Sequence, residues 1–141
     1  MELSVKRFNE LSIDELYKIL KLRVDVFVVE QNCPYEEIDG HDQEALHLYL
    51  TDEGQIKAYL RIFDEKDCAR IGRVIAEEKR KGLGTMIMNE AIRVCKETLH
   101  KDRIILEAQT YAREFYEKLG FKGISEPFDL DGIEHIEMIR E

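Results

Sequence analysis

Between residues 69 and 99 the hydrophobic pattern changes from that of a strand to that of a helix. The change falls on a basic stretch with two glycines, EEKRKGLGT (77–85). ARIGRVI (69–75) reads as a strand, while Ile87, Met88, Ala91, Ile92, Cys95 and Leu99 recur at helical spacing and mark a helix packed on a sheet. A glycine-bearing turn from strand to helix leaves backbone N–H groups unpaired at the helix start, where they and the helix dipole attract an anion. Gly82 and Gly84 remove side chains that would block its approach, and Lys79, Arg80 and Lys81 add positive charge, so the expected guest is a phosphate or pyrophosphate. The stretch is not a Walker loop, since no Gly-Lys-Ser/Thr follows at the required spacing, and it lacks the third glycine of a dinucleotide fingerprint.

The rest of the chain predicts a sheet for this unit to join. Strands are expected at Leu3–Phe8, in LHLYLT and QIKAYLRIF around a turn at Asp52-Glu53-Gly54, and in RIILEA, FKGIS and HIEMI. Ser12 and Glu15 form a capping-box pattern, so a helix starts near residue 13, and a short amphipathic helix covers residues 111–119. The predicted order is β-α-β-β-β-α-β-α-β-β. It implies a single α/β (α+β) domain over residues 1–141, with a mixed, mostly antiparallel sheet and helices on both faces. At 141 residues the chain is one domain's worth of sequence.

A formal charge of −9 argues against a general nucleic-acid or anionic-membrane binder and makes the basic cluster a local feature. The longest unbroken aliphatic or aromatic stretch, Val26–Val29, is too short to span a bilayer, and the N-terminus has no apolar core of signal-peptide length. Three scattered cysteines suit a reducing cytoplasm and give no disulfide or zinc framework; His41 and Asp42, adjacent in sequence, make no metal site.

The loop, together with LEAQTYAREFYEKLGF, resembles the Gcn5-related N-acetyltransferase (GNAT) family. The family's Arg/Gln-x-x-Gly-x-Gly/Ala pattern falls on Lys79-Arg80-Lys81-Gly82-Leu83-Gly84, with Thr85 following. Its later Asn-x-x-Ala-x-x-x-Tyr and Gly-Phe fall on Gln109, Ala112, Tyr116, Gly120 and Phe121. LRVDVFVVEQNCPYEEIDGHD, His47 and DGIEHIEM look like the ElaA-like branch. The chain departs from the pattern at Lys79, where arginine or glutamine is usual, at Arg80, where glycine is common, and at Gln109, where many relatives have asparagine.

The resemblance implies acyl transfer from acetyl-coenzyme A to a small-molecule or peptide amine by direct attack in a ternary complex, without a metal. The coenzyme loop would be residues 79–85, a backbone N–H near Val74–Ile75 would meet the thioester carbonyl, and Tyr116 would protonate the leaving thiolate. Gln109 falls on a coenzyme-side position, and strand edges in such a fold lend themselves to a homodimer. The irregular segment after the first helix carries Glu30, Glu36, Glu37, Asp39 and Asp42. Glu36, Glu37 and Asp39 would attract a cationic amine. The general base is open between these carboxylates, Glu37 foremost, and His135 and His47. Cys33 would allow a covalent acyl-enzyme, but nothing near it in sequence activates it. A noncatalytic acyl-coenzyme A sensor and an ATP-binding protein are the competing classes.

Overall fold

The computed structural model describes residues 1–78 and 81–141. The elements are β1 (Glu2–Arg7), α1 (Ile13–Arg23), β2 (Leu46–Asp52), β3 (Gln55–Asp64), β4 (Ala69–Ala76), α2 (Leu83–Glu97), β5 (Ile104–Gln109), α3 (Arg113–Lys118), β6 (Lys122–Gly123), β7 (Phe128–Leu130) and β8 (Ile133–Arg140). Among the described residues the strands form one sheet in the order β1-β2-β3-β4-β5-β8-β6, with β7 also on β8. Every pairing is antiparallel except β4 with β5, which is parallel. The expected fold class and element order are therefore found, with β7 as one further strand. Phe128-Asp129-Leu130 pairs with Ile133–His135 across a tight turn, a hairpin too short and polar to stand out in sequence.

Alternation along the strands builds a core on each face. Leu46, Leu48 and Leu50 of β2 and Ala58, Leu60 and Ile62 of β3 pack with Ile87, Met88, Ala91 and Cys95 of α2. On the other face Tyr49, Tyr59 and Ile75 pack with Ile19, Leu22, Val26 and Phe27. Helix α1 starts where predicted: Ser12 Oγ accepts the Glu15 N–H at 3.0 Å and Glu15 Oε1 accepts the Ser12 N–H at 2.7 Å. Past Arg23 the chain widens into a π-helical stretch, Val24–Glu30, with i→i−5 bonds such as Cys33 N–H to the Val28 carbonyl at 3.0 Å. No helix among the described residues is long and apolar enough to cross a membrane.

Candidate active site

The site begins where two strands part. β4 and β5 pair at only three positions, Ala69 with Ile104, Arg70 with Ile105 and Ile71 with Leu106, although both strands continue. Just past the last rung β4 carries a bulge. Arg61 pairs with Gly72 and Tyr59 with Ile75, leaving Arg73 and Val74 opposite Leu60, and Arg73 takes a left-handed φ of +56°. The extra residue inverts the alternation: Ala69 and Ile71 face the α2 core before the bulge, and Val74 and Ala76 face it afterwards. A cleft of about 1030 Å³ opens between the diverging strands, lined by Val74, Ile75, Leu106, Ala108, Gln109 and Tyr116 among others. With no β4–β5 rungs there, the backbone of residues 72–76 borders the gap.

The glycine loop leads from β4 into α2. Gly82 is the residue before the helix and takes φ +86°, with nothing within 4 Å of the position a Cβ would occupy. Its glycine is required by conformation. Gly84 is favoured by packing, since a Cβ there would lie 3.1 Å from Phe115 Cζ, which would have to give way slightly, and 3.7 Å from Ala76 Cβ. Leu83 is buried while Lys81 and Thr85 are exposed; Lys79 and Arg80 lie outside the described residues. The Met86 N–H closes the first turn on the Gly82 carbonyl at 2.9 Å, so the N–H groups before it have no intrahelical acceptor.

Tyr116 sits on α3 with its ring edge-on to Phe115 and Phe121, at centroid distances of 5.0 and 6.0 Å. It is buried yet lines the cleft, and its hydroxyl makes no hydrogen bond among the described residues. Burial, helped by Tyr111, pushes its pKa up to about 12, so the phenol keeps its proton. Gln109 and His135 face each other across the β5–β8 ladder and both line the cleft. Gln109 Nε2 donates to Gln31 Oε1 at 3.3 Å. His135 Nδ1 lies 2.8 Å from the Ile133 carbonyl, an acceptor, which assigns the proton to Nδ1 and leaves the Nε2 lone pair available.

The acidic segment is folded inward. Glu37 is buried; its Oε2 accepts from Arg23 Nε at 2.7 Å and Arg73 Nε at 2.8 Å, and its Oε1 from the Tyr35 hydroxyl. Asp42 accepts from Arg23 Nη1 at 2.6 Å and Arg61 Nη1 at 2.9 Å, and Asp39 from Arg61 Nη2 at 2.5 Å. Burial would raise the pKa of Asp39 and Asp42, but the arginine bonds outweigh it and hold both below the usual carboxylate range. Glu36 is exposed, and Glu36, Glu37 and Asp39 are all absent from the cleft wall. His47 is fully buried, with Nδ1 2.7 Å from the Tyr59 hydroxyl and Nε2 2.9 Å from the Asp42 carbonyl; burial lowers its pKa and both nitrogens are engaged. Cys33 lines the cleft and its thiol donates to the Asp131 carbonyl at 3.0 Å.

Comparison with known proteins agrees with this geometry. The acetyltransferase (GNAT) domain model matches residues 15–141. Protein ElaA of Escherichia coli K12 is 39% identical over 140 residues, covering 94% of this chain and 92% of ElaA. The chain belongs to the GNAT family, in its ElaA-like branch. A UPF0039 protein of Schizosaccharomyces pombe is also 39% identical, over 98% of this chain and 95% of its own. Among solved structures, an acyl-CoA N-acyltransferase from Pseudomonas aeruginosa superposes with a TM-score of 0.94 at 36% identity over the whole of both chains. E. coli ElaA gives 0.92 at 36% identity over 99% of each.

Within this GNAT chain the residues that sequence reading passed over are Arg23, Arg61 and Arg73. Two of them left a faint mark. Arg23 lies four residues after Ile19 on the buried face of α1, and Arg61 interrupts the apolar run AYLRIF. Their partners lie 14 to 36 residues away in sequence, so the pairing itself is a product of the fold.

Proposed function

We propose that this GNAT chain transfers an acetyl group from acetyl-coenzyme A to a primary amine of a small molecule or peptide, by direct attack within a ternary complex. The observation that carries the reading is the three-rung β4–β5 ladder opening into a cleft lined by Tyr116, whose hydroxyl has no hydrogen bond among the described residues. The family membership and the likeness to an acyl-CoA N-acyltransferase support a coenzyme A thioester as donor.

In this reading the N–H groups at the start of α2, with Gly82, Leu83, Gly84 and Thr85, hold the pyrophosphate, and Lys79, Arg80 and Lys81 add charge around it. A backbone N–H of the bulged strand at Val74–Ile75 polarises the thioester carbonyl. His135 Nε2 removes the ammonium proton, directly or through a water, while Glu37 serves the site by fixing Arg73. The amine nitrogen then bonds to the carbonyl carbon, the carbon–sulfur bond breaks, Tyr116 gives its proton to the departing thiolate, and the second proton shed by the nitrogen returns to the Tyr116 phenolate through water.

The test is to incubate the protein with acetyl-coenzyme A and a panel of amines, following free thiol and the mass of the product. Thiol release matched by the mass gain of an acetyl group replacing one hydrogen on an amine supports the reading. Tight coenzyme binding by calorimetry with no turnover on any amine would replace it with a sensor. Competition of ATP with coenzyme A at equal strength would point to a nucleotide site instead.

A further inference from the structure

We infer that the acceptor is a zwitterion of the amino-acid type, an amine carrying a carboxylate a few bonds away, with its carboxylate on Arg73 and its ammonium on Glu107. The inference rests on the acyl-transfer reading for what happens to the amine, but the binding argument stands on the wall of the cleft alone.

The charged residues of that wall also include Glu30, Lys57, Glu77, Glu78 and Asp131, and those beside the parting strands form two electrical halves. Arg23, Arg61 and Arg73 against Glu37, Asp39 and Asp42 balance in charge, yet they are not equally placed. The carboxylates lie behind the wall, whereas Arg61 and Arg73 line it. Arg73 spends Nε on Glu37 and Nη2 on Asp39 at 3.4 Å, and Nη1 has no partner among the described residues. Two carboxylates behind it and the Tyr35 ring 5.6 Å away fix the guanidinium in place. Beside it Arg61 is 4% exposed and its Nε is a buried donor without a partner among the described residues. Arg70 also lines the cleft, with its Nε donating to Glu65 at 3.2 Å.

Across the parting strands stands Glu107. It follows Leu106, the last paired residue of β5, as Gly72 follows Ile71 on β4. Leu106 and Ala108 point into the α2 core, so Glu107 projects from the opposite face; it is exposed, lines the cleft and makes no ion pair among the described residues. Glu137 on β8 is its cross-strand neighbour and reinforces the negative side. Between the two halves Gly72 leaves the floor open, with no atom within 4 Å of where a Cβ would be. A zwitterion matches both halves of this wall. A polyamine offers no acceptor to Arg73 Nη1 and would leave that donor unused.

The experiment compares, on the unaltered protein, L-amino acids, β-alanine and 4-aminobutyrate with their decarboxylated amines and carboxamides, and with spermidine, measuring acetylation and, with coenzyme A present, calorimetric binding. An acid should be preferred over its carboxyl-free analogue by about 100-fold in kcat/KM, because only the acid brings an acceptor for the fixed Arg73 guanidinium. Arg73→Gln should bring the two within about threefold while Arg73→Lys keeps part of the preference. Glu107→Gln, at an exposed position, should weaken binding of the acids without moving the melting temperature. Amines, amides or spermidine acetylated as well as the acids would overturn the zwitterion and leave acyl transfer standing. Acids bound in an Arg73-dependent way but never acetylated would uphold the subsite and remove acyl transfer. Acids neither bound nor acetylated would overturn the inference.

Discussion

At the scale of single residues, Tyr116 and the two loop glycines separate cleanly into roles. Tyr116→Phe keeps the ring packing against Phe115 and Phe121 and deletes only the donor. Folding and coenzyme affinity should survive while kcat falls by about 10- to 1000-fold, measured by single-turnover kinetics. With its pKa pushed up to about 12, Tyr116 should impose no basic limb on the kcat profile below about pH 11. Gly82 and Gly84 look interchangeable in the motif but fail differently. Gly82→Val should cost stability through its positive φ, by about 1–2 kcal/mol, and reduce coenzyme affinity. Gly84→Ala should instead push on Phe115 and so disturb α3, which a shifted near-ultraviolet spectrum would show.

At the scale of elements, α1 is anchored at its start by one carboxylate. Glu15 accepts from Lys6 at 2.7 Å, from the Ser12 N–H and from the Tyr49 hydroxyl at 2.8 Å, and its pKa falls to about 2, chiefly through Lys6 and then Ser12. A carboxylate depressed in the folded state contributes stability above its unfolded value of 4.5, and that contribution is lost as the pH falls towards 2. Melting temperature should therefore drop across this window, and Lys6→Met should flatten the drop. This helix was legible from Ser12, Glu15 and the apolar spacing because caps and periodicity are local. The π-helical continuation, which places Val26, Phe27 and Glu30 on the cleft wall, was not, since a change from i→i−4 to i→i−5 bonding leaves the same run of apolar residues. The same holds for β7, whose pairing is decided by β8 rather than by its own three residues.

At the scale of the molecule, the ionic cluster ties α1, the segment around Glu37 and the β3–β4 hairpin into one body. Glu37→Gln should destabilise the fold by about 3 kcal/mol or more, because it leaves Arg23 and Arg73 under-compensated in a buried site. Glu36→Gln, one residue away and exposed, should leave a chemical denaturation curve unchanged. The contrast shows how far the sequence could be read. EEIDGHD announced acidity, and acidity suggested an attraction for cations. The direction in which each carboxylate points is set by arginines on a helix and two strands, which no local pattern places. The coenzyme loop and Tyr116 were readable because their motifs are short and contiguous.

The short β4–β5 ladder also makes the sheet two half-sheets, β1–β4 and β5–β8, sharing a spine of three rungs. Such a sheet unzips most cheaply from its open end, so its weakest seam runs through the place where substrates meet. A ligand lying in the gap stands where the missing rungs would be and works as a splint. Native-state hydrogen exchange should accordingly show β5 and β8 opening below the global free energy when coenzyme A is absent, and in step with β2 and β3 when it is bound; equal protection in both conditions would mean that the seam is no weaker than the rest.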